Sequence, residues 1–227
     1  MSPPSRISSG RTGLPDPVPT QRAFIHTSRG EENELQSKHD LRSHGIQQMR
    51  SLDPEELAVK STRVIANLRT VLEFANAKGI FTCLSYNNEV DTWELADELA
   101  STPGKKVYVP RALFGEVQLH VVRYPCRMEA LKMGLRQPAA DATRVPPEDV
   151  DRAIDVALIL GVLYDRNRGY RLGYGKGFFD RFLAGRRFPV IALALEQQLA
   201  ENLPVEPHDV PMDVIVTEER VYRFGEE

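Results

Sequence analysis

Residues 154–181 read IDVALILGVLYDRNRGYRLGYGKGFFDR. The segment opens with an apolar run, Ile154 to Leu160, interrupted only by Asp155 and of the length and composition of a buried strand. It closes with RLGYGKGFFDR, Arg171 to Arg181, where Gly173, Gly175 and Gly177 alternate around Lys176 and lead into an aromatic, carboxylate-bearing stretch. A strand followed by a glycine loop and a helix start is the pattern of an α/β protein whose ligand sits where strands end. Glycines without Cβ let backbone N–H groups approach an anion, and a helix beginning just after them adds the positive end of its dipole. Lys176 supplies a mobile positive charge, and Asp180 is placed to hold a magnesium ion that bridges phosphate oxygens.

Two common glycine motifs do not fit. Five residues separate Gly169 from the Gly175-Lys176 pair where a Walker A loop has four, and Gly177 stands where that loop has its magnesium-binding Ser or Thr. The dinucleotide fingerprint GxGxxG fails as well, because the spacing is GxGxG followed by Phe178. A glycine-rich loop on its own is more often a structural turn than a ligand site; Lys176 and Asp180 reverse that reading.

Outward from this segment, helical patterns alternate with short apolar runs. Glu31 onward is helical in character, with Leu35, Leu41, Ile46 and Met49 as an apolar stripe and Lys38 and Arg42 one turn apart beside it. That pair is either a solvated surface or two cations aimed at one ligand. Asp53 and Pro54 start a second helix, whose Leu57, Ile65, Leu68, Leu72 and Ala75 run to Lys78-Gly79. Strands are expected at Ile80–Ser85, Val107–Pro110, Leu119–Tyr124, Ile154–Leu160, Val190–Leu195 and Val214–Val216, with a helix at Asp91–Leu99. The expected fold is a single-domain α/β open sheet, mostly parallel and flanked by helices.

Composition narrows the function. The 227 residues suit one domain, residues 31–227, with 41% hydrophobic and 27% charged residues, as in ordinary soluble proteins. No apolar run approaches the roughly 20 residues of a membrane span. A net charge of −3 offers no polyanion-binding excess, so phosphate recognition is local and directed at a small molecule, not at nucleic acid. Cys83 and Cys126 lack metal-ligand spacing and suit a reducing compartment, here the cytoplasm. Residues 1–30 hold five prolines, four arginines, no lysine and Asp16 as the only acid. They read as a disordered tail, an organellar targeting segment or a mis-assigned start.

Further polar groups flank the expected strands. Asp91 or Thr92 caps a helix, and Glu89, just outside it, either accepts hydrogen bonds from a ligand's N–H groups or serves the loop. Arg111, at the end of a strand, is a ligand-facing cation or a salt-bridge partner. The proline-rich stretch Leu203–Asp213 carries Glu206, His208, Asp209 and Asp213; a carboxylate there completes an oxygen-ligand magnesium site with Asp180 or simply forms a turn.

In this order and spacing, the pieces resemble the 5-formyltetrahydrofolate cyclo-ligase family over residues 35–219. The likeness rests on Lys38 with Leu41-Arg42, Arg50-Ser51-Leu52, Glu89 to Thr92, Gly104-Lys105, Pro110-Arg111, Gly134-Leu135, Pro138, Gly161, Asp165, the RLGYGKGFFDR loop, Gln197 and His208-Asp209. The resemblance implies an ATP- and magnesium-dependent enzyme that closes 5-formyltetrahydrofolate to 5,10-methenyltetrahydrofolate. It implies that Lys38, Arg42 and the loop Arg171, Leu172, Gly173, Tyr174, Gly175, Lys176, Gly177, Phe178 and Phe179 bind ATP, with Lys176 and Arg171 acting on the transferred group. It further implies that Glu89 and Tyr174 to Phe178 contact the folate, and that Asp180 and Asp209 hold magnesium. The partners implied are folate and ATP alone, for a monomer or weak homodimer. Leu160, Gln137, Phe178 and Phe179 depart from the usual family residues, and the first three motivate the competing reading of a non-catalytic folate- or nucleotide-binding paralogue.

Overall fold

A computed structural model describes residues 37–113, 118–131 and 134–225; the expectations for residues 1–30 and for Leu35 lie outside them. The strands at the centre are apolar throughout: β1 (Gly79–Thr82), β6 (Val156–Ile159) and β9 (Val190–Leu193) are buried at every position. Such strands have no solvent face, so both sides of their sheet must be covered. With β2 (Lys106–Ala112), β3 (Leu119–Tyr124), β11 (Val214–Val216) and β12 (Val221–Arg223) they form a seven-stranded sheet in the order β12-β11-β9-β6-β1-β2-β3. The five inner strands pair in parallel, and β3 and β12 close the two edges antiparallel.

From β1 the chain moves outward to β2, and it later returns to the other side of β1 to form β6. Connections therefore diverge above the β1–β6 pair, which opens a crevice at the carboxyl ends of these strands, beside Cys83 and Leu160. Asp155 fixes the start of this pair, its Oδ2 accepting from the backbone N–H of Lys78 and Gly79 at 2.8 and 2.7 Å. Gly79 is needed there because a Cβ would lie 1.9 Å from the Ala153 carbonyl oxygen. It thus serves close strand packing and not, as the sequence suggested, a helix stop.

Helix α1 (Lys38–Arg50) begins at Ser37, whose Oγ accepts from Asp40 N. Its Leu41, Ile46 and Met49 pack with Val162, Leu163, Leu172 and Leu203 in a small second core. Helix α2 (Pro54–Leu68) starts as expected, with the Asp53 carboxylate accepting from Glu55 N at 2.8 Å. It ends earlier than the periodicity implied. Val71 turns into extended backbone and is buried, whereas Leu72 is 68% exposed, so the apolar stripe loses its phase and a separate helix α3 (Leu72–Asn76) follows. Helix α4 (Trp93–Ser101) follows the Glu89–Thr92 loop. The short helix α5 (Val150–Ala153) precedes β6.

Two small sheets were not expected. β7 (Leu163–Asp165), β8 (Arg171–Leu172) and β10 (Leu199–Ala200) form one, and β4 (Met128–Ala130) with β5 (Arg136–Pro138) forms the other. The first delivers the glycine loop, which runs from β8 straight into helix α6 (Phe178–Leu183).

Candidate functional site

Each glycine of the loop answers a distinct requirement. Gly175 and Gly177 have φ of +84° and +64°, a left-handed backbone that residues with Cβ disfavour. At Gly173 the constraint is space: a Cβ there would sit 2.3 Å from Arg171 Nη1. Gly161 lies on another side of the same residue, where a Cβ would meet Arg171 Cγ at 2.9 Å. The two glycines thus frame a buried guanidinium, which stands 5.3 Å over the Phe179 ring and reaches Asp180 Oδ1 at 3.4 Å.

Helix α1 brings its two cations to this loop. Arg42 Nε donates to the Gly173 carbonyl at 2.7 Å. Lys38 Nζ donates to Asp209 Oδ2 at 2.6 Å and to Glu206 Oε2 at 2.7 Å. Burial pulls the Lys38 pKa down, but these hydrogen bonds and charges outweigh it and leave the ammonium above its ordinary value. The ligand atoms of Glu206, His208 and Asp209 lie within 4.8 Å of one another, a mostly oxygen donor set; Asp180 is not part of that cluster.

The opposite wall carries Glu89. Its side chain is buried, with Oε2 accepting from Tyr86 N at 2.9 Å and Oε1 accepting from the Tyr174 hydroxyl at 3.1 Å. Burial pushes its pKa up to about 7, against the pull of those hydrogen bonds and of the Arg171 charge. Burial, followed by the adjacent Glu89, raises the Tyr174 phenol in turn. Cys83, at the end of β1, is pushed up to about 12 by burial and stays a thiol at neutral pH.

Lys38, Arg42, Glu89, Asp209 and every residue from Arg171 to Asp180 line one cavity of about 590 Å³. That is the size of a small-molecule site. The sheet positions this cavity at the divergence of β1 and β6, with Cys83 and Leu160 among its lining residues.

Two residues fell to the plainer of their readings. Pro110 and Ala112 line the cavity, while Arg111 between them on β2 points the other way, buried and 3.0 Å from Glu129 Oε1. Asp213 Oδ2 accepts from Val190 N and Arg186 Nη2, both at 2.7 Å, and so secures β9. The cap of α4 combines both expected groups. Thr92 is the N-cap residue, but the Asp91 carboxylate accepts from Trp93 N at 2.9 Å, and the Thr92 hydroxyl donates to Cys83 O at 2.8 Å. Tyr86 and Arg136 also line the cavity and escaped the sequence reading, and Leu135, named there only for the family likeness, lines it too. For Leu135 and Arg136, the signal was their place between Gly134 and Pro138, where Arg136 opens β5.

The model of the 5-formyltetrahydrofolate cyclo-ligase family matches residues 34–218. The chain belongs to this family. Its curated relatives include the mitochondrial 5-formyltetrahydrofolate cyclo-ligase of Arabidopsis thaliana, 33% identical over 227 residues, spanning 86% of this chain and 80% of the relative. The 5-formyltetrahydrofolate cyclo-ligase of Escherichia coli K12 is 29% identical over 184 residues, covering 78% of this chain and 98% of the relative. Among solved structures, the Aquifex aeolicus 5,10-methenyltetrahydrofolate synthetase superposes with a TM-score of 0.71 at 31% identity, covering 84% of this chain and 94% of that one. Like these cyclo-ligase relatives, the chain is assigned to a family of ligases. Among the described residues, no helix is long and apolar enough to cross a membrane.

Proposed function

We propose that this cyclo-ligase family member catalyses the ATP-dependent conversion of 5-formyltetrahydrofolate to 5,10-methenyltetrahydrofolate, releasing ADP and phosphate. The observation that carries the reading is the single cavity that joins the glycine loop and its cations to a buried carboxylate, Glu89. In this reading Lys38, Arg42 and the Arg171–Phe179 loop bind ATP, while Glu89 and Tyr174 to Phe178 bind the folate. Tyr174 belongs to the loop yet bonds to Glu89, so the two ligand sides already touch.

The formyl oxygen of an amide is a poor leaving group. It attacks the γ-phosphorus of ATP and ADP departs; N10 then attacks the activated formyl carbon, the C–O bond breaks, phosphate leaves and N10 loses its proton. No protein nucleophile is needed. Arg171 and Lys176 neutralise the charge that develops on the transferred group, and the fixed walls align N10 with the formyl carbon. Deprotonated Glu89 accepts from the N–H groups of the pterin. The carboxylates of Glu206 and Asp209 beside Lys38 fit a hard cation; in this reading Asp209 would hold magnesium together with Asp180, which stands outside that cluster and lines the same cavity. When bound, magnesium neutralises phosphoryl oxygens. Residues 31–227 form the catalytic domain in this reading, acting as a monomer or weak homodimer. The free thiols of Cys83 and Cys126 are consistent with the cytoplasm.

Purified protein given 5-formyltetrahydrofolate, ATP and magnesium develops the near-ultraviolet absorbance of the methenyl product over many turnovers. Absence of product across pH and substrate range would reject the reading.

A further inference from the structure

Six cations line the cavity: Lys38, Arg42, Arg136, Arg171, Lys176 and Arg181. Five belong to α1 or to the glycine loop and the helix after it. Lys38 and Arg171 have carboxylate partners, and Arg42 and Arg181 donate to loop carbonyls. Lys176 stands within the loop itself. Arg136 is the exception. It comes from β5, between α1 and the glycine loop in the chain and part of neither, and none of the described carboxylates lies within ion-pair distance of it.

Arg136 is nevertheless held in place. Its guanidinium lies 4.3 Å over the ring of Trp93, whose indole N–H donates to Ser85 O at 3.0 Å. Trp93 opens α4 and follows Glu89 by four residues, so Arg136 is tied to the wall that carries Glu89. The acids around it are committed elsewhere. Glu129, across the β4–β5 ribbon, accepts from Arg111 and Gln137, and Asp97 accepts from the Tyr124 hydroxyl. A guanidinium stacked on an aromatic face keeps its N–H edge free, and that edge matches a carboxylate in geometry and charge.

We propose that Arg136, held by Trp93, is a specificity residue that binds a carboxylate of the substrate's glutamyl tail. The inference rests on the folate reading of the Glu89 wall. The pterin end donates to Glu89, and the elongated ligand then leaves the cavity past an exposed, pre-oriented cation. Arg136 selects for the tail and takes no part in phosphoryl transfer.

The test compares full-length wild-type protein with Arg136→Gln, an exposed substitution, by calorimetry and steady-state kinetics. The ligands are 5-formyltetrahydrofolate and its tail-less analogue 5-formyltetrahydropteroate. Loss of one charge-assisted contact raises Kd and KM for the glutamyl substrate by roughly tenfold. The same substitution leaves the Kd of the tail-less analogue and the KM for ATP within about twofold, margins well below one such contact. Arg136→Lys recovers part of the affinity. Equal affinity of wild type and Arg136→Gln for the glutamyl substrate would overturn the inference alone, as would a loss confined to ATP. Failure of wild-type protein to bind either folate would overturn the folate reading, and the inference with it.

Discussion

Glu89→Gln separates the charge of the buried carboxylate from its shape. The folded protein holds this group's pKa at about 7, against 4.5 for an ordinary glutamate. Between those values the folded state carries a proton that the unfolded state has lost, so ionisation works against folding. The sign follows: wild-type stability due to Glu89 is complete below about pH 4.5 and is lost as pH rises through about 7. Across an interval of about 2.5 pH units, at 1.36 kcal/mol for each, the loss amounts to about 3 kcal/mol. Glutamine has the shape of the protonated acid and does not titrate. The stability difference between the Glu89→Gln variant and wild type therefore grows by about 3 kcal/mol from pH 4.5 to 7.5, or roughly 6–12 °C in Tm for a domain of this size. Urea or thermal denaturation of both proteins across that range measures it, and subtraction removes the titrations they share. Parallel stability profiles would refute the argument that burial of Glu89 governs its proton. Activity carries the complementary signature: because the accepting form is the carboxylate, wild-type kcat/KM for folate rises with pH through about 7, and the variant lacks this limb.

Two further perturbations address the glycine-loop side of the cavity. Gly173→Ala places a Cβ 2.3 Å from Arg171 Nη1 and forces the framed guanidinium to shift; a displacement of about 1 Å lowers kcat on the order of a hundredfold. In an Arg171→Lys background the same alanine meets no Nη1 and adds little further loss, and additive effects in a double-mutant cycle would reject the cradle. Asp209→Asn removes a carboxylate from the Lys38 and Glu206 cluster. It raises the magnesium concentration needed for half-maximal turnover by about tenfold or more, whereas an unchanged magnesium dependence would remove Asp209 from the metal site.

How far the chain could be read from its sequence depended on the range of the interactions involved. The inner strands were legible because each must be apolar on both faces, and that demand leaves an unbroken run such as Val156–Ile159 or Val190–Leu193. The start of α2 was legible because Asp53 and Pro54 act within one turn. Its end was not, since Val71 breaks the helix to reach the core while Leu72 remains outside, a choice made by neighbours distant in sequence. The two small sheets were hidden for a related reason. Strands of two or three residues, such as Arg171–Leu172 and Leu199–Ala200, carry too few positions for a period to register. The glycine loop announced its chemistry through residue type, yet the role of Gly173 depends on the path of the Arg171 side chain, which spacing alone does not give. Arg111 and Arg136 make the contrast plainest. Both are arginines beside a proline or glutamine in an apolar setting, but pleat direction turns Arg111 into the protein while stacking on Trp93, 43 residues earlier in the chain, keeps Arg136 at the cavity. Which arginine faces the cavity was therefore decided by tertiary packing, and it became readable only when the strands were laid side by side.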